Sequence, residues 1–227
     1  MEENEIILLA AVTLAIVAGI IALAVLSQKR RTKRWREVAE RNGFEFAPVD
    51  DQAISGLPFD LFKRGHSRRN RNSMKWYSGP LRMQLSEYQY TISTGRSSTT
   101  VRQAVLLVLD ESLGIAPFSL RREMGVLDWL GEKLGAQDID FPEDEEFSKS
   151  FVLKGEEHAT RSRFGADLRA YLIQNRRSFS TLEGAGSALL LARGRTLKAE
   201  SYHEFVELGS MVHSMLDKWG HAPFTSE

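Results

Sequence analysis

The chain has 227 residues, 30 Lys and Arg against 30 Asp and Glu, a formal net charge of zero and no cysteine. Without cysteine there are no disulfides, thiolate nucleophiles, iron–sulfur clusters or thiolate zinc sites. The balanced charge excludes the strongly basic character of a dedicated nucleic-acid binder, so no nucleic-acid partner is expected.

From Ile6 to Leu26 the sequence is apolar apart from Thr13. A helix needs about 20 such residues to cross the hydrocarbon of a bilayer, so residues 1–28 read as a short tail and a transmembrane helix. A cleaved signal peptide is the competing reading. It calls for a basic start and a shorter apolar run. Here the start, Met1-Glu2-Glu3-Asn4-Glu5, is acidic, although Ala22-Leu23-Ala24 has the form of a cleavage site. Ala11, Ala15 and Gly19 recur every four residues on one face, a spacing that lets two membrane helices approach closely and makes this face a candidate for helix packing in a homo-oligomer.

Six bases follow within eight residues: Lys29, Arg30, Arg31, Lys33, Arg34 and Arg36, whereas none precedes the apolar run. Basic flanks stay on the cytoplasmic side, which puts the N-terminus outside and the rest of the chain in the cytoplasm. These six, with Trp35 at the level where aromatic rings collect, are assigned to the membrane interface, with anionic headgroups as partners. Residues 29–43 read as a basic juxtamembrane helix stopped by Gly43.

Beyond it the pattern is α+β: a mostly antiparallel sheet with packed helices, in two lobes, a strand-rich one over 44–137 that ends in a helix and a helix-rich one over 138–227. Phe44 opens a strand, and Leu57 to Phe62 is short and apolar. Lys63 to Asn72 reads as a polar, basic connection in which Lys63, Arg64, Arg68, Arg69 and Arg71 are candidates for anionic-lipid contact. Gly79-Pro80 marks a turn. Leu81, Met83 and Leu85 alternate, then Tyr88, Tyr90 and Ile92 alternate on the other parity, which calls for a bulge or a strand break near Ser86. The run Ala104 to Leu109 is the candidate central strand, covered on both faces. Met124, Leu127, Leu130 and Leu134 form a helical stripe. Asp138 to Glu146 carries six acids and reads as a solvated loop. A strand at Phe151 and a helix opened by Glu156-Glu157, with Phe164, Leu168 and Leu172 on its buried face, come next. Phe179 to Leu191 reads as a hairpin around Gly184-Ala185-Gly186, not a phosphate loop, because no helix follows it. The last helix places Tyr202, Phe205, Gly209, Val212, Leu216 and Trp219 on one face.

Reactive signatures are missing. No HExxH, GxxxxGK[ST] or GxSxG appears, and no cofactor or metal is expected. His203/Glu207 and His213/Asp217 sit four apart and read as solvated helix pairs.

Several phrases taken in order carry a resemblance. They include Arg34-Trp35-Arg36-Glu37-Val38-Ala39, Gly43-Phe44-Glu45-Phe46, Leu57-Pro58-Phe59-Asp60-Leu61-Phe62, Tyr88-Gln89-Tyr90-Thr91, Pro117-Phe118-Ser119-Leu120-Arg121 and Phe151-Val152-Leu153-Lys154-Gly155-Glu156. This succession resembles an uncharacterised bacterial family of single-pass membrane-anchored proteins with a cytoplasmic α+β domain. The resemblance implies a bacterial inner-membrane location and carries over no catalytic residue. One departure is Arg71-Asn72-Ser73-Met74-Lys75-Trp76, where such relatives have Asn followed by small apolar residues and Gly. The reading reached is a membrane-anchored binding or scaffolding module with an unknown protein partner. The alternatives are a hydrolase-like enzyme with Asp and His residues assembled from distant positions, and a domain that recognises anionic lipid.

Overall fold

The structure, a computed structural model, describes residues 3–54, 56–95, 97–122 and 138–220. The expected helix over Met124–Leu134 lies outside these residues.

Helix α1 runs without interruption from Glu3 to Arg41. Its first part is long and apolar enough to cross a bilayer, and no protein element buries it. Its last turns sit in the domain core, where Trp35 is 1% exposed and Val38 and Ala39 are buried. The expected interfacial role of Trp35 gives way to burial of its ring within the domain. Along a helix it is about 13 Å beyond Leu26, a level at which the protein and not the bilayer supplies its apolar surroundings.

Among the described residues eight strands follow: β1 (Glu45–Val49), β2 (His66–Ser78), β3 (Leu81–Thr94), β4 (Ser97–Leu109), β5 (Ile115–Arg122), β6 (Phe151–Gly155), β7 (Thr181–Gly186) and β8 (Ala188–Ala192). They form one sheet in the order β1-β2-β3-β4-β8-β7-β5-β6, with every neighbouring pair antiparallel. Helices α2 (Glu145–Ser150), α3 (Glu157–Arg163), α4 (Ala166–Gln174) and α5 (Tyr202–Gly220) complete the α+β fold. Strands from both expected lobes alternate in this sheet, with β8 beside β4 and β5 between β7 and β6, so the boundary at 137/138 does not separate two cores.

The sheet is apolar on both faces. On one, Met83, Leu85, Leu106 and Leu191 meet α1, α5 and the aromatic group Phe141, Phe147 and Phe164. On the other, Tyr88, Tyr90, Val105, Leu107 and Leu190 lie under a strap, residues 51–54 and 56–63, that brings in Ile54, Phe59, Leu61 and Phe62. This explains the unbroken run of β4, where even residues face one layer and odd residues the other. It also corrects the expected bulge in β3. That strand keeps a regular register with β4 from Arg82 to Thr94. Its pattern changes parity because different layers cover its two ends.

The bulges are in β2 instead, between His66 and Arg69 and between Arg71 and Met74, where Ser67 and Asn72 adopt positive φ. The second coincides with the departure seen in the sequence. Lys63 to Asn72 is thus mostly strand. Since β1 pairs only with Arg71 to Lys75, the first half of β2 is a sheet edge, and edges are kept soluble by charge.

Candidate membrane-junction site

Where α1 leaves its apolar stretch it is clamped to the domain. The Arg31 Nε lies 2.7 and 2.8 Å from the two Glu87 carboxylate oxygens, its NH2 also bonds Glu87, and that NH2 donates to the Leu197 carbonyl at 2.9 Å. The Asn72 amide donates to Glu87 at 2.5 Å, so the positive-φ bulge of β2 delivers a second donor to the same carboxylate. A carboxylate that receives charge-assisted bonds in this way fixes two elements together. Lower down, Tyr202 at the start of α5 donates to Asn42 at 3.0 Å, and Phe44 stacks on Trp76.

Two clefts flank this clamp. One, about 440 Å³, is lined by Leu23, Leu26, Arg30, Arg34, Lys198 and Glu200. The other, about 430 Å³, lies between Ala24, Ser27 and Gln28 on α1 and Arg71, Gln89 and Arg102 on the sheet. Each combines residues of the apolar run with bases.

The sequence-derived residues divide accordingly. Lys29, Arg30, Lys33, Arg34 and Arg36 are exposed on α1, while Arg31 is half-buried in the clamp. Arg36 lies over the Phe46 ring. Ala11, Ala15 and Gly19 are exposed on the single chain. Of the β2 group, Lys63 pairs with Asp60 at 3.0 Å, Arg69 with Asp51 at 2.9 Å, and Arg68 donates to the Phe62 carbonyl at 2.6 Å, all ties that hold the strap. Burial lifts the Tyr88 phenol beneath the strap to about 12, against the opposing charges of Arg68 and Arg64. Only Arg71 reaches the cleft at α1. Arg102 and Lys198 were missed, since only the β3–β4 register and the chain's return after β8 bring them there.

Three polar clusters lie elsewhere. The acidic stretch is not simply solvated. Asp144 caps α2 and, with Glu143, holds Arg169, whose guanidinium is buried and 4.2 Å from the Phe141 ring.

Glu183 on β7 is 2% exposed and accepts the backbone N–H of Asp60 at 2.6 Å and of Leu61 at 3.2 Å, capping the short helical turn of the strap. Desolvation, with the neighbouring Asp60 charge, raises its carboxyl to about 7 despite those amides and Arg64. That Glu183 is the single charged residue of the hairpin sequence Phe179–Leu191 is the available signal.

His213 corrects the solvated-pair reading. It is buried, with Nε2 2.9 Å from the Asp110 carboxylate. Its position, four after Gly209 and three before Leu216, is within the apolar stripe. Ser112 donates to the other Asp110 oxygen at 2.6 Å through its hydroxyl and at 2.9 Å through its amide. The acid thus stands between serine and histidine. A nucleophile activated by its base needs the histidine in the middle, so this arrangement orients a loop and does not activate Ser112.

No family model matches the chain, and no curated protein does. The fold is similar to that of the mycobacterial trehalose monomycolate transport factor A, TtfA, known from a crystal structure. The TM-score is 0.59 at 9% identity, over 86% of this chain and 98% of that one. At that identity the likeness is one of fold.

Proposed function

We propose that this chain is a single-pass protein of a bacterial inner membrane, with its N-terminus outside, whose cytoplasmic α+β domain is a binding or scaffolding module held at fixed height against the inner leaflet and engaging another membrane protein. The observation that carries this is the continuity of α1. The same helix that presents an unburied apolar surface long enough for a bilayer ends as a core element at Trp35, Val38 and Ala39. Exposed apolar surface on that scale needs a cover, and lipid is the cover that fits its length. A helix with no hinge between span and domain transmits orientation, which suits a scaffold better than a loosely tethered enzyme. The basic flank supports the orientation, and likeness in fold to a protein named a trehalose monomycolate transport factor is compatible with an accessory role at a membrane.

The chain has no cysteine, which makes the topology test direct. Single Glu5→Cys and Glu157→Cys variants are treated with an impermeant maleimide in spheroplasts. Glu5→Cys is expected to label at once and Glu157→Cys only after permeabilisation; the opposite pattern overturns the orientation. Native mass spectrometry of the full-length protein released from its own membrane tests the scaffold. A co-released membrane protein in fixed stoichiometry is expected, and a bare monomer holding a small molecule would overturn the reading in favour of an enzyme.

A further inference from the structure

We propose that the cleft between α1 and strands β2 to β4 binds the phosphodiester headgroup of an anionic phospholipid taken from the leaflet around α1. This rests on the membrane-anchored reading and adds a ligand to it.

The charge of the cleft is the first argument. Arg71 on β2 stands opposite Glu87, and Arg102 on β4 stands opposite Gln89, so two arginines on alternate strands bracket β3. At about 4.8 Å per strand, and with an offset of two residues along β3, their backbones are roughly 12 Å apart, a span over which two long guanidinium arms close on one phosphate. Glu87 does not neutralise them, since its carboxylate is engaged by Arg31 and Asn72. Among the described residues neither Arg71 nor Arg102 has an ion-pair partner, and the Arg71 Nε is buried without an acceptor. A buried donor of this kind is costly unless something outside the chain accepts from it.

Position is the second argument. The wall facing the arginines is made by Ala24, Ser27 and Gln28. Ala24 belongs to the apolar run and Gln28 immediately precedes the bases, so the cleft straddles the level where hydrocarbon gives way to headgroups. A lipid seated there would lay its acyl chains along α1 and its phosphate between the arginines. Ser27, Gln28 and Thr196 at the rim supply hydrogen bonds to a polyol headgroup such as glycerol. A soluble phosphate would gain nothing from Ala24.

The full-length protein is purified in a mild detergent, titrated with phosphatidylglycerol or phosphatidylcholine, and read by native mass spectrometry. A single retained phosphatidylglycerol is expected. The double variant Arg71→Gln/Arg102→Gln should lower its occupancy at least about tenfold, as two surface-level bases imply. The control Lys63→Gln/Arg69→Gln removes the same charge outside the cleft and should leave the occupancy unchanged. The single Arg102→Gln change, at an exposed residue without a partner, carries the same test if the double variant unfolds.

Equal occupancy by phosphatidylcholine, equal loss in the control, or no loss in Arg102→Gln and the double variant would overturn the site. Displacement of the lipid by millimolar inorganic phosphate would overturn the lipid source. An alkaline wash of intact membranes separates the two readings. Release of the protein refutes the anchor, whereas a retained protein that loses no lipid on Arg71/Arg102 substitution refutes the cleft alone.

Discussion

Arg31 on α1 and Glu87 on β3, 56 residues apart, form the bond that fixes the long N-terminal helix to the sheet. The Glu87 side chain is only 11% exposed, and three donor nitrogens converge on it, two from Arg31 and one from Asn72. Both side chains that supply them, the Arg31 guanidinium with two nitrogens and the Asn72 amide with one, pair with no other carboxylate among the described residues. The clamp is therefore a better place to perturb the angle between helix and domain than any residue of the core.

Glu87→Ala should leave the Arg31 charge and the Asn72 amide without their acceptor. We expect a loss of about 1–3 kcal/mol, measured from the denaturation midpoint of the full chain in micelles. Spin labels at Ile20→Cys and Ser98→Cys should also give a broader distance distribution in this variant. A distribution as narrow as in the parent would show that packing around Trp35 alone sets the angle.

Glu183 should make the strap sensitive to pH near neutrality. Its carboxyl titrates at about 7 in the fold, above the ordinary value of 4.5, so the folded state holds the proton more tightly than the unfolded one. Its contribution to stability is complete below pH 4.5 and is lost as pH rises through about 7. Glu183→Gln keeps an acceptor for the strap and removes the charge. It should raise the melting temperature at pH 8 and flatten its dependence between pH 5 and 8. Glu183→Ala should instead lower stability at every pH, because the Asp60 and Leu61 amides lose their acceptor.

How much of this could be read from the sequence depends on how local each signal is. The long helix, the run in β4 and the stripe of α5 each declare themselves within one segment, and all three recur in the structure. The Glu156 cap is equally local: its carboxylate takes the His158 and Ala159 amides, and those bonds, the Ala159 one first, hold it below the usual carboxylate range. What failed required knowledge of the opposite face. Tyr88 and Tyr90 read out of phase because the strap that covers them is distant in sequence, and Trp35 reads as interfacial because β2 and the turn at Ala199, which pack on α1, are distant too. The expected single helix through Phe164 breaks into α3 and α4 at Gly165, where the extended backbone caps the second. The membrane-junction clefts were half legible: Arg30, Arg34 and Arg71 stood in charged stretches, but Arg102 and Lys198 come from strands and turns that only the sheet order brings beside α1.

Arg169 gathers the acidic stretch and should be the most costly base to lose. Its side chain is 8% exposed, bonds Asp144 at 2.9 Å and the Phe164 carbonyl at 2.8 Å, and packs against Phe141. Arg169→Ala should destabilise the full chain by about 3 kcal/mol, since the buried Phe164 carbonyl would lose its side-chain donor and Asp144 its ion-pair partner. Arg169→Lys keeps the charge but not the fork, and should recover only part of that loss. Denaturant midpoints of the two variants check the order; equal stability of Arg169→Ala and the parent would mean that water satisfies the acidic stretch.

Asp110 should give the domain an acid-labile step opposite in sign to that of Glu183. Burial pushes its carboxyl up, but hydrogen bonds from the Ser112 hydroxyl and amide and from His213 outweigh it and hold the group below its ordinary 3.8. A depressed acid contributes stability above its unfolded value, and that contribution is lost as pH falls through the folded value. Asp110→Asn should therefore cost about 1–2 kcal/mol at pH 7 and weaken the loss of stability expected on acidification below pH 4. Ser112→Ala, by contrast, removes one exposed donor and should cost less than 1 kcal/mol. Thermal unfolding of the full chain in micelles from pH 3 to 8 distinguishes the two. If Asp110→Asn unfolds along the same acid profile as the parent, the link between β4 and α5 is carried by the apolar contacts of Gly209 with Leu106 and not by the Asp110–His213 bond.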